Sequence, residues 1–396
     1  MLSYLSTFLL AVLFALILTP VSIILAREWG VMDYPGERRI HKAPIPRLGG
    51  AAIYLAFWLA VFLTVAVNKM LIGLFLGSTI IFAVGIYDDV KGMRPLIKLL
   101  WQILAAVILI FFGMAVPHIT LPLYGVVQLG LIGNIFAVLW IVGLVNAVNI
   151  SDGMDGLASG ICFIAAITLF WSATIRSAYP GADLLMLALS GVTLGFLFYN
   201  FNPAKIIMGD SGSMFLGYMI GAVSIWGLLK TATVLGLVFP LLVLGMPLMD
   251  MLFAIIRRKW KGHSIVRADR GHLHHRLLDT GLNQRQAVFV LYGISLCFGL
   301  AAIFSAYGHW YIAAILVVID LGIILRIMFR KFRLHNWYTV TRPVSADMED
   351  KMDVEKDDAG MQQKTEEQSQ AETQNPEEQN QEEQNQEAKI RMRNKV

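Results

Sequence analysis

Four places in the chain bring together side chains able to hold a metal ion or a phosphate. Asp88 and Asp89 are adjacent and precede the turn-like KGMRP. Neighbouring carboxylates repel, and one takes up a proton unless a cation lies between them. Oxygen-only donors favour Mg²⁺ or Mn²⁺ over zinc. The stretch NAVNISDGMDGLASG (146–160) spaces Asn146, Asn149, Asp152 and Asp155 by threes, which puts them along one side of a helix. Gly153 and Gly156 between them permit tight turns and close approach of a ligand. In MGDSGS, Asp210 and Ser211 stand where a helix is expected to begin, and the free N–H groups of a helix start suit a phosphate. Finally, GHLHHR supplies His272, His274, His275 and Arg276, with Arg267 and Arg270 just before. No Cys or well-placed Glu accompanies these histidines as a zinc site would want, and the arginines suit a diphosphate better.

Each cluster has a plainer explanation. Two acids can end a solvated loop, Asn146 can serve a helix–helix hydrogen bond, Asp210 can cap its own helix, and a His/Arg patch can lie on anionic lipid. The setting argues against four coincidences. Of 396 residues, 57% are hydrophobic and 15% charged, with a mean hydropathy of +0.63, whereas soluble domains carry roughly 25% charge. Fifteen of the 28 acids fall in residues 343–396. The remaining thirteen serve 342 residues of mostly apolar chain, where a carboxylate is expensive and has a reason.

The elements that must position these groups are membrane helices. Apolar runs near the roughly 20 residues needed to cross a bilayer occur at 3–26, 48–67, 71–87, 98–115, 131–148, 158–175, 184–200, 213–229, 232–256, 287–306 and 310–328. The expected fold is an all-α polytopic membrane protein, a bundle of about eleven transmembrane helices. The first run, apolar to residue 26, is too long for a cleaved leader. Pro240 and Pro247 should kink or break the ninth helix. HITLPLYGVVQLG (118–130) reads as a short hairpin. Cys162 and Cys297 sit in apolar runs without metal or redox spacing and read as small hydrophobes.

Lys and Arg crowd the loops of one parity: five at 27–47 and eight at 257–286, against Lys69, Arg176 and Lys230 on the other side. The N-terminus is therefore expected outside and the C-terminus in the cytoplasm. On that map DYPGERRIHKAPIPRLGG (33–50), YDDVKGMRPLIK (87–98), NAVNISDGMDG, NFNPAKIIMGDSGS (200–213) and RADRGHLHHR (267–276) all fall on the cytoplasmic side. They read as one composite active site there. Residues 1–342 form the transmembrane domain. Residues 343–396, rich in Gln and Glu with almost no aromatic or β-branched side chains, read as a disordered acidic cytoplasmic tail.

Paired acids with a metal, a phosphate-receptive helix start and a His/Arg patch suit phosphoryl transfer, which is largely positioning and neutralisation of charge. One substrate would come from the cytosol and one from the lipid. Five ordered motifs, RRIHKAPIPRLGG, YDDVKG, NAVNISDGMDGLASG, NPAKIIMGDSGS and RGHLHHRLL, resemble those of the polyprenyl-phosphate N-acetylhexosamine-1-phosphate transferases of bacteria, over about residues 20–330.

The resemblance implies attack by undecaprenyl phosphate on the β-phosphorus of a UDP-N-acetylhexosamine, with release of UMP. It implies Mg²⁺, with Mn²⁺ as a substitute, held by Asp210 with Asp88 and Asp89, one of that pair also serving as base or lying near the carrier phosphate. Asn149, Asp152 and Asp155 match positions lining the nucleotide–diphosphate pocket. Lys98 and Asn200 match polar positions beside it, and His272, His274, His275 and Arg276 the motif near the diphosphate. A phosphate monoester has a second pKa near 6, so direct attack needs little base catalysis and is favoured over a phospho-enzyme.

His-Leu-His-His-Arg, in place of a run of consecutive histidines, looks more like the branch using UDP-N-acetylglucosamine than the muramoyl-pentapeptide branch. That branch also tends to have an aromatic residue where this chain has Ile207. The product would begin a cell-envelope glycan, with wall teichoic acid favoured. The expected setting is the bacterial cytoplasmic membrane, multi-pass, with membrane lipid around the protein, no nucleic acid partner, and homodimerisation left open.

Two other classes compete. An ion-coupled transporter would carry acids at mid-bilayer and repeated halves; Asp250 and Asp320 are the only acids well inside runs, and no repeat is visible. A prenyltransferase would want two Asp-rich motifs of similar spacing, and DDVKG and DGMDG differ.

Overall fold

A computed structural model describes residues 2–35, 43–116, 118–121, 125–176, 181–227, 241–260 and 272–341. Arg38, Arg39, Pro240, Arg267, Arg270 and the tail at 343–396 lie outside them. Residues 1–328 form one compact unit, within which every contact below falls; a second unit begins at Phe329.

Among the described residues there are twelve helices: α1 (Leu2–Glu28), α2 (Gly49–Thr64), α3 (Lys69–Lys91), α4 (Pro95–Phe111), α5 (Leu131–Ser151), α6 (Leu157–Arg176), α7 (Ala182–Asn200), α8 (Gly209–Gly227), α9 (Gly245–Trp260), α10 (Leu273–Asp279), α11 (Gln284–Ala306) and α12 (Trp310–Thr341). Two small antiparallel pairs accompany them. β1 (Met32–Asp33) pairs with β2 (Ile45–Pro46), and β3 (His118–Leu121) with β4 (Gly125–Gln128). The second pair is the hairpin expected at 118–130. The first, two residues a strand, carries no alternation that sequence reading could find.

Seven helices, α1, α3, α5, α6, α7, α11 and α12, are long and apolar enough to cross a membrane, and α2 and α4 are shorter apolar helices. The chain is a multi-pass helical membrane protein. The ninth expected span, 232–256, lies partly outside the described residues. Its described part breaks at residue 244 and resumes as α9, with Pro247 in the first turn.

The sequence marks many boundaries chemically. The Asn68 side chain accepts the Leu71 N–H at 2.9 Å to start α3, which ends at Gly92 with φ +72°. Pro95 opens α4, where the N–H it lacks would go unpaired. Asn283 and Gln286 form a reciprocal capping box at α11.

α8 is the central helix. It packs against α2, α3, α5, α6 and α7, and its side chains from Ser211 to Trp226 are buried. Its sequence, GDSGSMFLGYMIGAVSIWG, rich in Gly and Ser, suits a helix enclosed by others. A Cβ on Gly217 would stand 2.7 Å from both Leu144 O and Val145 Cα of α5, and one on Gly85 of α3 would stand 2.3 Å from Ser211 Cα. These glycines let α3 and α5 lie against the start and middle of α8. α1 docks similarly, with Ala11 and Ala15 facing Gly191 and Gly195 of α7.

Candidate functional site

The start of α8 is the meeting point. The segment before it is held to the segment before α2 by backbone hydrogen bonds: Ile207 N to Pro46 O (2.8 Å), Gly49 N to Ile207 O (3.1 Å) and Gly50 N to Met208 O (2.9 Å). A Cβ on Gly49 would lie 2.5 Å from Ile207 O and one on Gly50 2.3 Å from Gly212 N. This lacing brings Arg47 to the front of α8.

Asp89, on the last turn of α3, is turned into this junction, its side chain fully buried. Its Oδ1 accepts the Asp210 N–H (2.8 Å) and Arg47 Nε–H (3.0 Å). Its Oδ2 accepts the Ser211 N–H (3.0 Å) and Ser211 hydroxyl (2.7 Å). The expected open, phosphate-receptive helix start is thus capped by a carboxylate from another helix. The unpaired N–H groups and positive helix end that suit a phosphate suit Asp89 equally. Gly209, with φ +72°, is required by this contact, since a Cβ there would stand 2.5 Å from Asp89 Oδ2.

Asp88 faces the other way. Lys98, on α4, contacts Asp88 Oδ2 and lies 2.5 Å from Asp210 Oδ2. Arg47 Nη2 donates to Asp210 Oδ1 at 3.2 Å, and Nη1 lies 3.4 Å from Asp33 Oδ1. Asp210 therefore has one cation at each oxygen. Withdrawal of Arg47 from water works to lower its pKa. Asp89, Asp210, Asp33 and Asp152 outweigh this and raise it, so the guanidinium stays charged. Among the described residues, four carboxylates (Asp33, Asp88, Asp89, Asp210) meet the two cations Arg47 and Lys98 here.

Among the described residues no group of three or more His, Cys, Asp or Glu side chains is arranged to hold a metal ion. Of the three acids expected as ligands, Asp88 and Asp210 converge on the Lys98 ammonium, the place a metal ion would take between them, whereas Asp89 is turned into the α8 start. Two carboxylates with the remaining positions left to phosphates and water fit Mg²⁺, which keeps several waters and uses one or two protein carboxylates.

The Asn/Asp row divides by role. Asn146 Nδ2 donates to Gln102 Oε1 of α4 at 2.7 Å, the helix–helix tie that was the plainer explanation. Asn149 Nδ2 donates to Ser213 Oγ at 2.9 Å, reaching the first turn of α8. Asp152, just past α5, senses Asp210, Arg47 and Asp89, and loss of water pushes its pKa well above the usual carboxylate range. Asp155 accepts the Asn202 amide (2.9 Å) and the Ala204 N–H (3.1 Å), pinning the loop after α7. Asn200 is 3% exposed. It accepts from Gly156 N (3.1 Å) and Ser159 Oγ (2.8 Å) and donates to Ile206 O (2.9 Å), so its amide braces this loop from inside.

The histidines approach from α10. His272 caps it, and its Nδ1 lies 3.2 Å from Asp250 Oδ2. His274 is 2% exposed and lies over Gly153, where a Cβ would stand 2.6 Å from Nε2. Burial, with His275 adding, pulls the His274 pKa down to about 3, so its ring is neutral. Its ring centroid is 4.3 Å from that of His275 and 5.7 Å from that of His272. Arg276 donates through Nη1 to Met328 O. The structure thus joins Asp88, Asp89, Lys98, Asn149, Asp152 and Asp210 around α8, while Asp155 and Asn200 hold the loop and His274 docks on the Asp152–Asp155 turn.

Sequence reading missed Arg47, Asp33 and Asp250 as site residues. Arg47 stands inside RRIHKAPIPRLGG, where the sequence alone offers only a loop charge. Asp250 stands as an acid inside an apolar run, with no polar neighbour in sequence to mark a partner.

Comparisons with known proteins bear on this arrangement. The profile described as glycosyl transferase family 4 matches residues 71–228. The chain is 39% identical over 302 residues to a probable undecaprenyl-phosphate N-acetylglucosaminyl 1-phosphate transferase of Bacillus subtilis, covering 75% of this chain and 83% of that protein. It is 37% identical over 301 residues to a decaprenyl-phosphate N-acetylglucosaminephosphotransferase of Mycolicibacterium smegmatis, covering 68% and 74%. A phospho-N-acetylmuramoyl-pentapeptide-transferase of Limosilactobacillus reuteri is 34% identical over 220 residues, covering 50% and 66%.

Proposed function

The chain belongs to glycosyl transferase family 4, and from that membership we infer that it transfers N-acetylglucosamine-1-phosphate from UDP-N-acetylglucosamine to undecaprenyl phosphate. A non-bridging oxygen of the lipid phosphate forms a bond to the β-phosphorus. The bond from that phosphorus to the bridging oxygen breaks, and the bridging oxygen departs with UMP. The lipid-linked sugar diphosphate that remains begins a cell-envelope glycan. The relatives that match over the greater length are named for N-acetylglucosamine, and the shorter match for the muramoyl pentapeptide, which supports the first sugar.

The observation that carries the reading is the meeting of Asp88, Lys98 and Asp210 at the start of α8, with Arg47 on the other Asp210 oxygen. Asp210 and Asp88 would hold Mg²⁺, which supplies charge neutralisation on the diphosphate. Among the described residues, Lys98 and Arg47 are positive groups able to meet phosphate oxygens at the edge of this cluster. Asp89 keeps the α8 start in register, and Asn149 holds its first turn. His272, two residues before His274 and stacked on its ring, is assigned to the anionic oxygens of the donor.

We place the site at the cytoplasmic face of an eleven-span bundle in the bacterial cytoplasmic membrane. The Lys/Arg content of the loops and the convergence of helix ends at α8 support this. Purified protein in detergent with Mg²⁺ and undecaprenyl phosphate tests the reading. UMP released from UDP-N-acetylglucosamine, and only when the carrier is present, is the expected result. Release from UDP-N-acetylmuramoyl-pentapeptide alone would keep the chemistry and change the sugar.

A further inference from the structure

The His motif is anchored by a residue that the reaction above leaves unused. Asp250 lies on α9 and is 2% exposed. Its Oδ1 accepts the N–H of Leu273, the first residue of α10, at 2.9 Å. Its Oδ2 lies 3.2 Å from Nδ1 of His272, itself 8% exposed. One carboxylate therefore fixes both the direction of α10 and the ring at its start.

The contact engages Nδ1, which leaves Nε2 as the ring atom open to a ligand. The His272 and His274 rings lie parallel within 2°, and His274 rests on Gly153 beside Asp152. The position of His272 is thus tied to the turn that faces Asp210. Tying down α10 needs only an acceptor for one N–H. The second oxygen, spent on the imidazole, is what a purely structural role leaves unexplained, and a buried carboxylate is expensive enough to need a use.

We propose that Asp250 is a positioning residue for His272, orienting the ring so that Nε2 meets the anionic oxygens of the sugar-diphosphate donor. This rests on the transferase reading, and the experiment separates the two. UMP release from UDP-N-acetylglucosamine is measured for the intact protein and for Asp250→Asn, His272→Gln and the double variant, with kcat and KM resolved and thermal unfolding followed alongside.

Asp250→Asn still offers an acceptor to Leu273 but not the charge to the ring. Its kcat is expected to fall about tenfold, as when the carboxylate partner of a functional histidine is lost, with KM and unfolding little changed. The double variant is expected to be no slower than His272→Gln, and Asp250→Glu to recover part of kcat. Losses that multiply in the double variant, or an Asp250→Asn protein as fast as the parent while His272→Gln is slow, would overturn the proposal and leave the transferase reading standing. No UMP from the parent protein would remove both. If Asp250→Asn does not fold, the cycle of Asp250→Glu with His272→Gln makes the same comparison.

Discussion

Lys98 Nζ lies 2.5 Å from Asp210 Oδ2 and also contacts Asp88 Oδ2, so one ammonium from α4 bridges acids of α3 and α8. With Arg47 3.2 Å from the other Asp210 oxygen, Asp210 is the residue on which three helix ends and one loop agree. Electrostatic groups fixed in advance in this way are the largest single source of catalysis in many enzymes.

Asp210→Asn keeps the shape and removes the charge. UMP release is expected to fall by about 10² to 10³, the size of effect seen when one preorganised polar contact is lost. Mn²⁺ binding followed by electron paramagnetic resonance is expected to weaken, and thermal unfolding to move little. Turnover within threefold of the parent, or unchanged Mn²⁺ binding, would take Asp210 out of the metal site.

Asp89 and Asp88 are neighbours in sequence with opposite duties. Asp89→Ala strips two backbone N–H groups, a hydroxyl and Arg47 of their acceptor in a fully buried position. Removing one partner of a buried charge pair costs about 3–5 kcal/mol. The variant should unfold several degrees lower, whereas Asp88→Ala should lose activity with a smaller shift. Equal shifts for both would show that Asp89 is no more structural than its neighbour.

The helical membrane scaffold and the polar motifs that meet at α8 were legible in the sequence, because both rest on strong local signals. Spans are long apolar runs, and DD, GDSGS and HLHH are rare polar interruptions of them. The division of labour was not legible. Nothing in YDDVKG says which Asp turns towards α8, since that follows from the helix phase at the end of α3. Nor could NFNPAKI reveal that Asn200 points inward to three partners. Arg47 and Asp250 stayed hidden because their partners are far along the chain: Arg47 and Asp210 are separated by 163 positions. Spacing rules see only neighbours within a turn or two.

Gly153 is where the His motif meets the acid-bearing turn. Gly153→Ala places a Cβ 2.6 Å from His274 Nε2, so either α10 or the turn must shift. Small displacements far from the reacting atoms can cost about 10² in rate. A fall in kcat of about tenfold or more is expected, with insertion and unfolding near those of the parent. Full activity would mean that the turn and α10 move independently, and that His274 does not couple the motif to Asp152.

His274 is also a stability element with a defined sign. Its folded pKa, pulled down to about 3 by burial and by His275, lies below the roughly 6.5 of an unfolded histidine. A depressed pKa means that the unfolded state binds the proton more readily. The contribution of His274 is therefore fully present above about pH 6.5 and is lost as pH falls towards 3. His274→Asn cannot titrate. Thermal unfolding of parent and variant in detergent, compared from pH 7.5 down to 4.5, should show the parent's advantage shrinking step by step below 6.5. Parallel curves over that window would mean that His274 can be protonated in place. Its ring would then have found water or an acid in the folded protein, and the tight seat over Gly153 would be a looser contact than the geometry describes.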